Sequence, residues 1–287
     1  MLTVGSVNVN GIRAAAAKGL TAWLTAGGAD VVCLQEVRAL AEEFPAELTA
    51  VLDHAGWHVA TAPATARGRS GVAVLSRAAP EQVRVGFGAA EFDDAGRYLE
   101  VDLPGLTVAS LYLPKGLAGT PKQDEKDRFL AQFGPYLRER RAKAAAEDRE
   151  VLVCGDWNIA PAEADVRNWR SNRGTSGFLP HEREWFADVL AGGYVDVVRR
   201  LHPDAAGPYT WWSYRGRAFD NDTGWRIDHQ IATPGLADRA AEAVVERAPS
   251  YDRRWSDHAP VTVRYRARAR EVVLEHHFPR TTGSMPG

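Results

Sequence analysis

Gly155, Asp156, Trp157 and Asn158 close an apolar run, Val151 to Cys154, with a glycine, a carboxylate and an amide. Such a run reads as a buried strand, and if the backbone stays extended Asp156 and Asn158 share one face. An acid and a carboxamide converging there can do phosphate chemistry, the acid handling a proton or a metal and the amide holding an oxygen or a water. Taken alone, Asp156 reads equally well as a turn former or a helix cap. The same class of residue recurs at other strand ends: Asn8 and Asn10, Glu36, Tyr112, Asp228, and Asp257 with His258. Each has a bland explanation as a turn cap, but together they form a set of hard oxygen donors suited to magnesium or manganese. No Cys/His cluster has zinc spacing, and the adjacent His276 and His277 read as exposed side chains.

A second set is aromatic and basic. Arg167, Trp169, Arg170, Asn172 and Arg173 precede Gly177 and Phe178, and the stretch from Tyr209 to Trp225 interleaves tryptophans with Arg215 and Arg217. Cations hold phosphates and rings receive an unstacked nucleotide, although at least half of the nine tryptophans are expected in the core. In WRIDH an extended backbone would turn Trp225 and Ile227 to one side and Arg226 and Asp228 to the other, giving an apolar wall and a carboxylate on one strand.

The elements that must position these groups follow from periodicity. Strands are expected at residues 2–9, 31–34 (delivering Gln35 and Glu36), 57–61, 71–76, 98–103, 107–113, 195–201, 209–214, 225–233 and 261–265. Helical patterns cover 14–26, stopped by Gly27 and Gly28, then 42–55, 123–147 and 181–190, the last opened by Pro180. Phe129, Phe133 and Leu137 mark one face of the long charged helix, which Gly134 and Pro135 should kink or divide. Without a short repeat or a Gly/Ser linker, a single domain of mixed strands and helices is the simplest account of 287 residues.

With 35 Lys and Arg against 37 Asp and Glu there is no global basic signal, so any nucleic-acid contact must come from a local patch. Cys33 and Cys154 both lie in apolar runs and read as reduced core residues, as suits an intracellular protein. No charged leader with an apolar core opens the chain, and no stretch is long enough to span a bilayer, so a cytoplasmic protein without membrane contact is expected.

The segments SVNVNGIR, CLQEV, SGVAVLSR, GRYLEV, LYLPKG, CGDWNIAP, NWRSN, SGFLPHEREWF, YTWWSYR, GWRIDH and WSDHAPV follow one another from residue 3 to about residue 265. In these the chain resembles exonuclease III and the related apurinic/apyrimidinic endonucleases of the endonuclease/exonuclease/phosphatase superfamily; GFLPHERE and GWRIDH are its most specific segments. The resemblance implies an α/β fold, a four-layered sandwich of two mixed β-sheets packed face to face and flanked by helices. It implies a catalytic domain over residues 1–266 and a partly disordered tail over 267–287.

It also implies roles for residues. Glu36 would be the principal metal ligand, with Asn8, Asp156, Asn158, Asp257 and His258 around the ion; magnesium is the expected cofactor and manganese a substitute. Tyr112 would contact the scissile phosphate, Asp156 would position or deprotonate the attacking water, and Asn158 would orient that water and the transition-state oxygens. His258, oriented by Asp228, would contact a non-bridging oxygen. Trp211, Trp225 and Ile227 would form a pocket for a flipped-out abasic sugar, while Asn10, Lys115, Arg167, Arg170 and Asn172 would contact the DNA. The implied activity is incision of double-stranded DNA 5′ to abasic sites, with 3′–5′ exonuclease and 3′-phosphodiesterase or phosphatase side activities, by a monomer at the nucleoid. Alternatives are an enzyme acting mainly on 3′ ends, a superfamily phosphatase on a small or lipid substrate, and a non-catalytic DNA-binding protein, which would need the site residues eroded. Two departures stand out: Lys115 replaces an amide, and the tail carries Arg266, Arg268 and Arg270 without a family match.

Overall fold

Alternation with period two decides the layers. In β8, Glu150–Asp156, Leu152 and Cys154 turn to one apolar cluster and Val151 and Val153 to another, and in β2, Val31–Gln35, Val31 and Cys33 part from Val32 and Leu34 in the same way. A strand that is apolar on both faces must be covered on both, by helices or by a second sheet. The computed structural model, which describes residues 1–266, has that build. The expectations for the tail, including Arg268, Arg270, His276 and His277, lie outside the described residues.

The remaining strands are β1 Leu2–Asn8, β3 His58–Ala62, β4 Val72–Ser76, β5 Gln82–Val85, β6 Tyr98–Leu103, β7 Leu106–Tyr112, β9 Val195–Asp196, β10 Asp228–Ala232, β11 Ala240–Val245 and β12 Val261–Tyr265. They form two six-stranded mixed sheets, ordered β11-β12-β1-β2-β4-β3 and β5-β6-β7-β8-β10-β9. Val4, Cys33, Val74, Val108, Cys154 and Val263 lie in the core between the sheets. Outside the first sheet, α1 Ile12–Ala15, a wider turn over Ala16–Leu20, α2 Thr21–Ala26 and α3 Ala46–His54 cover Val7, Leu34 and Leu75. Outside the second, α4 Pro121–Ala146 and α5 Pro180–Ala191 cover Leu111, Val153 and Ile231. The short helices α6 Val197–Leu201 and α7 Pro234–Ala237 complete the set, and the four-layered α/β sandwich is the fold.

Local expectations failed where tertiary context decided. α4 runs undivided through Pro135: Pro135 and Ala131, whose carbonyl loses its helical donor, both lie on the exposed face, where water can replace the missing bond. Gly19 interrupts the first helical stretch at φ 157, where an added Cβ would stand 2.9 Å from the Trp255 ring. Residues 195–201 are strand only at Val195–Asp196, because the Asp196 side chain accepts a bond from the Arg199 N–H at 3.1 Å and starts α6. Residues 209–214 form no strand, only bridges from Trp211 to Trp225 and His258, and 225–233 is regular only from Asp228. The edge strands β5 and β11 escaped notice, β5 because it is mostly exposed and β11 because AAEAVV has helical propensity overridden by pairing with β12.

Gly155 is at φ +146, and a Cβ there would lie 2.0 Å from the Leu111 carbonyl oxygen on the paired strand β7. Gly155→Ala should therefore cost about 3 kcal/mol or more in stability, since backbone on both sides would have to move. Thermal unfolding checks this; an unchanged midpoint would mean the two strands separate more easily than their register suggests.

Candidate active site

The pairing register sets out the site. Tyr112 of β7 is opposite Asp156 of β8, and Asp156 is opposite Asp228 of β10, so three functional side chains stand in one row across adjacent strands. All three have the parity of Val108, Leu152 and Ala232 and so face the other sheet. There β1 ends in Asn8, paired with Gln35 of β2. Beyond these ends the backbone turns left-handed at Asn10 (φ 49), Glu36 (φ 48) and Asn158 (φ 48). Asparagine tolerates this conformation; for Glu36 it is held by bonds from Gly11 N–H to its carbonyl (2.8 Å) and from Val37 N–H to Gly71 (3.0 Å). Asn158 thus meets Asp156 through a turn, not by sharing the face of an extended strand: its N–H donates to Asp156 Oδ1 at 3.0 Å and its Nδ2 to the Leu113 carbonyl at 2.8 Å.

Asn8 Nδ2 donates to Glu36 Oε1 at 2.8 Å and to Asp156 Oδ2 at 3.0 Å, while Asn8 Oδ1 accepts from Asn10 N–H at 2.9 Å. Its amide therefore bridges two carboxylates. Asn10 Nδ2 and Trp211 Nε1 hold the two oxygens of Asp257 at 2.9 and 3.1 Å. His258 Nδ1 lies 2.8 Å from Asp228 Oδ2, which also accepts from Thr210 Oγ1 at 2.6 Å, and His258 Nε2 lies 3.8 Å from Asp156 Oδ2. Burial alone would discharge His258, but Asp228, Asp156 and Asp257 outweigh it and push the imidazole up to about 10. Burial, then Asp228 and Glu36, push Asp156 up to about 7 against the lowering pull of His258 and Asn8. Glu36 is held below its ordinary value: burial opposes this, but Asn8, Arg38 and His258 prevail. Burial, then the charges on Glu36 and Asp156, push the Tyr112 phenol well above its ordinary value, leaving it a proton donor.

The donor chemistry fits a hard divalent cation. Atoms of Asp156, Asp228 and His258 lie within 4.8 Å of one another, and Asp228 Oδ1 is buried without a hydrogen-bond partner. Asp228 Oδ2, however, is committed to His258 and Thr210, and an imidazolium has no lone pair to give. Glu36, Asp156, Asp257 and Asn158 line one cavity and offer it oxygens, while a protonated His258 suits an anion.

That cavity, about 130 Å³, is closed on its other side by Trp211, Trp225 and Ile227 and bordered by Lys115 and the 175–177 loop. Arg167, Arg170 and Asn172 do not line it. Arg167 and Arg170 are exposed, Arg170 and Arg173 flank the Trp169 ring at 4.5 and 4.6 Å, and Asn172 spends its amide N–H on the Asn168 carbonyl at 2.8 Å. Sequence reasoning passed over the groups that hold the site from behind. Thr210 binds Asp228; Ser256 Oγ donates to the Asn8 carbonyl at 2.6 Å; Lys126 Nζ, fully buried, pairs with Glu182 at 2.7 Å and donates to the Asn158 carbonyl at 2.8 Å. The charge run that contains Lys126 read as a solvated face, and only its three-residue offset from Phe129 in the phenylalanine stripe could have marked it as interior.

The family model for the endonuclease/exonuclease/phosphatase family matches residues 5–258. An exodeoxyribonuclease of Bacillus subtilis is 35% identical over 89% of this chain and 96% of its own length, and the DNA repair nuclease APEX1 of Danio rerio is 31% identical over 91% and 81%. Among solved structures, the 3′ phosphatase NExo from Neisseria bound to product DNA hairpin superposes with TM-score 0.83 at 29% identity, covering 93% of this chain and all (100%) of that one. An AP endonuclease from Archaeoglobus fulgidus gives 0.82 at 29% identity with the same coverage, 93% and 100%.

Replacing Asp228 by Asn should move both titrations of the ion-free protein downward by about one unit or more: His258 loses its main counter-charge, and Asp156 loses a neighbouring negative charge. Side-chain NMR titration reads both. A His258 midpoint that stays at about 10 would show that another carboxylate holds the proton.

Proposed function

Because the chain belongs to the endonuclease/exonuclease/phosphatase family, we propose that it is a DNA-repair nuclease. It hydrolyses the phosphodiester 5′ to abasic sites in double-stranded DNA, with 3′–5′ exonuclease and 3′-phosphatase side activities. The observation that carries this reading is the junction in one cavity of a carboxylate cluster with an apolar wall of Trp211, Trp225 and Ile227. A flipped-out abasic sugar fits such a wall, whereas a nucleotide with its base needs more room.

In this reading Glu36, Asp156, Asp257 and Asn158 would hold magnesium, with manganese as a substitute, which when bound would supply charge to offset that on the phosphoryl and leaving oxygens. Asp156, held by the Asn8 amide and the Asn158 N–H at the cavity, is placed to position the attacking water and accept its proton. His258, fixed by Asp228, donates from Nε2 to a non-bridging oxygen, and Tyr112 donates its phenolic proton to the same phosphate. Asn158, tied by Nδ2 to Leu113, offers the rest of its amide to the water and to developing oxyanions. Arg167, Arg170 and Asn172, outside the cavity, grip the backbone without reading sequence. The enzyme acts as a monomer, in the cytoplasm at the nucleoid.

A duplex bearing one abasic analogue should be nicked immediately 5′ of it in magnesium, and EDTA should stop the reaction; an intact strand would sink the endonuclease reading. Asp156→Asn should lower turnover by at least about a thousandfold while leaving duplex affinity within a few-fold. Affinity that falls in parallel with turnover would make Asp156 a structural residue.

A further inference from the structure

Lys115 is a cation at the cavity that the catalytic scheme leaves unused. Its side chain is exposed, its Nζ lies 5.6 Å from the centre of the Trp211 ring, and it lines the same cavity as Tyr112, Asn158 and His258. The neighbouring cations are occupied: Arg38 pairs with Glu36, Arg97 with Glu125 at 3.5 Å and Lys126 with Glu182 at 2.7 Å. Lys115 has no carboxylate partner among the described residues. Its backbone is nevertheless fixed, the carbonyl accepting from Ser176 Oγ at 2.9 Å and Lys126 Nζ at 3.4 Å. The next residue, Gly116, is at φ +71, where a Cβ would lie 2.3 Å from that Ser176 oxygen, so the turn is built to a tight fit.

We propose that Lys115 is a specificity-determining residue that favours 3′-terminal phosphate monoesters over internal phosphodiesters. The inference rests on the nuclease reading given above. In either substrate the water oxygen bonds to phosphorus, the P–O3′ bond breaks and the 3′ oxygen ends as a hydroxyl. The substrates differ in one substituent. At an internal abasic site that position is an ester oxygen leading to the sugar housed against Trp211. At a 3′-phosphate it is a free oxygen carrying most of a second negative charge at neutral pH. With the sugar absent, that oxygen would stand on the Trp211 side of the cavity, where the Lys115 ammonium lies over the ring. The ammonium can donate to it a charge-assisted hydrogen bond that the ester oxygen, uncharged, accepts poorly. An uncharged amide at this position would make no such distinction.

The test compares kcat/KM on two duplexes in magnesium, one ending in a 3′-phosphate at a nick and one with an internal abasic analogue, for the wild type, Lys115→Met and Lys115→Arg. Lys115→Met should lose about tenfold more on the 3′-phosphate than on the abasic duplex, and Lys115→Arg should keep most of the preference. In the Asp156→Asn background, duplex with a 3′-phosphate should bind more tightly than duplex with a 3′-hydroxyl, and adding Lys115→Met should erase the difference. Equal losses on both substrates, or no loss, together with binding indifferent to the terminal phosphate, would overturn the assignment. If the wild type cleaved neither duplex the nuclease reading would fall, and the binding comparison would still decide whether Lys115 recognises a terminal phosphate.

Discussion

Asn8 is fully buried between the sheets and its amide binds one carboxylate from each, Glu36 from the first and Asp156 from the second. Two carboxylates brought this close out of water repel each other and lose hydration, so without shared donors one would protonate or the strands would part. The Asn8 amide supplies donors to both while its own oxygen is fixed by the Asn10 N–H. Asn10 in turn holds Asp257, and Ser256 holds the Asn8 carbonyl, so the end of β1 ties together the carboxylates that arrive from β2, β8 and the loop before β12. The site is thus a property of how the two sheets meet, and no single strand contains it.

This explains which parts were legible in the sequence. The four-layered fold was legible through the resemblance, patterning alone having given only a domain of mixed strands and helices, and β6 was placed to the residue. Tyr112, Asp156, Asp228 and Asn8 were also legible as strand-end polar groups, and period two alone turns them inward once the apolar residues before them are assigned. Asn158 was placed on the right target for the wrong reason, since a left-handed turn and not an extended strand brings it to Asp156. Thr210, Ser256 and Lys126 were invisible because their meaning lies in partners 18, 248 and 32 residues away, Asp228, Asn8 and Asn158. The edge strands were missed for a related reason: pairing, not composition, makes β11 a strand.

The interior near the site is more polar than a sandwich core needs to be. Gln35 donates to Ser110 at 3.0 Å across the sheets, and Gln230 donates to the Val4 carbonyl at 3.0 Å and accepts from the Tyr265 hydroxyl at 2.9 Å. Just outside, Arg226, almost wholly buried, pairs with Asp165 at 2.7 Å and Asp196 at 2.8 Å. Buried ion pairs repay their desolvation poorly, so stability is a weak reason for them. Their geometry suggests another. Arg226 sits between Trp225 and Ile227 in the chain, and anchoring its guanidinium to two separate segments fixes the backbone whose neighbouring side chains form the apolar wall.

The Lys126–Glu182 pair does the same on the opposite side. Glu182 accepts from the Gly177 and Leu179 N–H groups at 2.6 and 3.1 Å, and Lys126 reaches the carbonyls of Asn158 and Lys115. A helix from each of two chain segments, α4 and α5, thereby grips the turn that carries Asn158 and the loop that borders the cavity. Burial lowers the Lys126 pKa, and the charge and hydrogen bond of Glu182 pull it back up. The charges behind the cavity are therefore paired and immobile, whereas Lys115, held by its carbonyl alone, has a free ammonium. Under the proposed function, steps that depend on alignment fall to groups fixed by buried partners, and choice among phosphates to a cation that stands over a ring and has no carboxylate partner among the described residues.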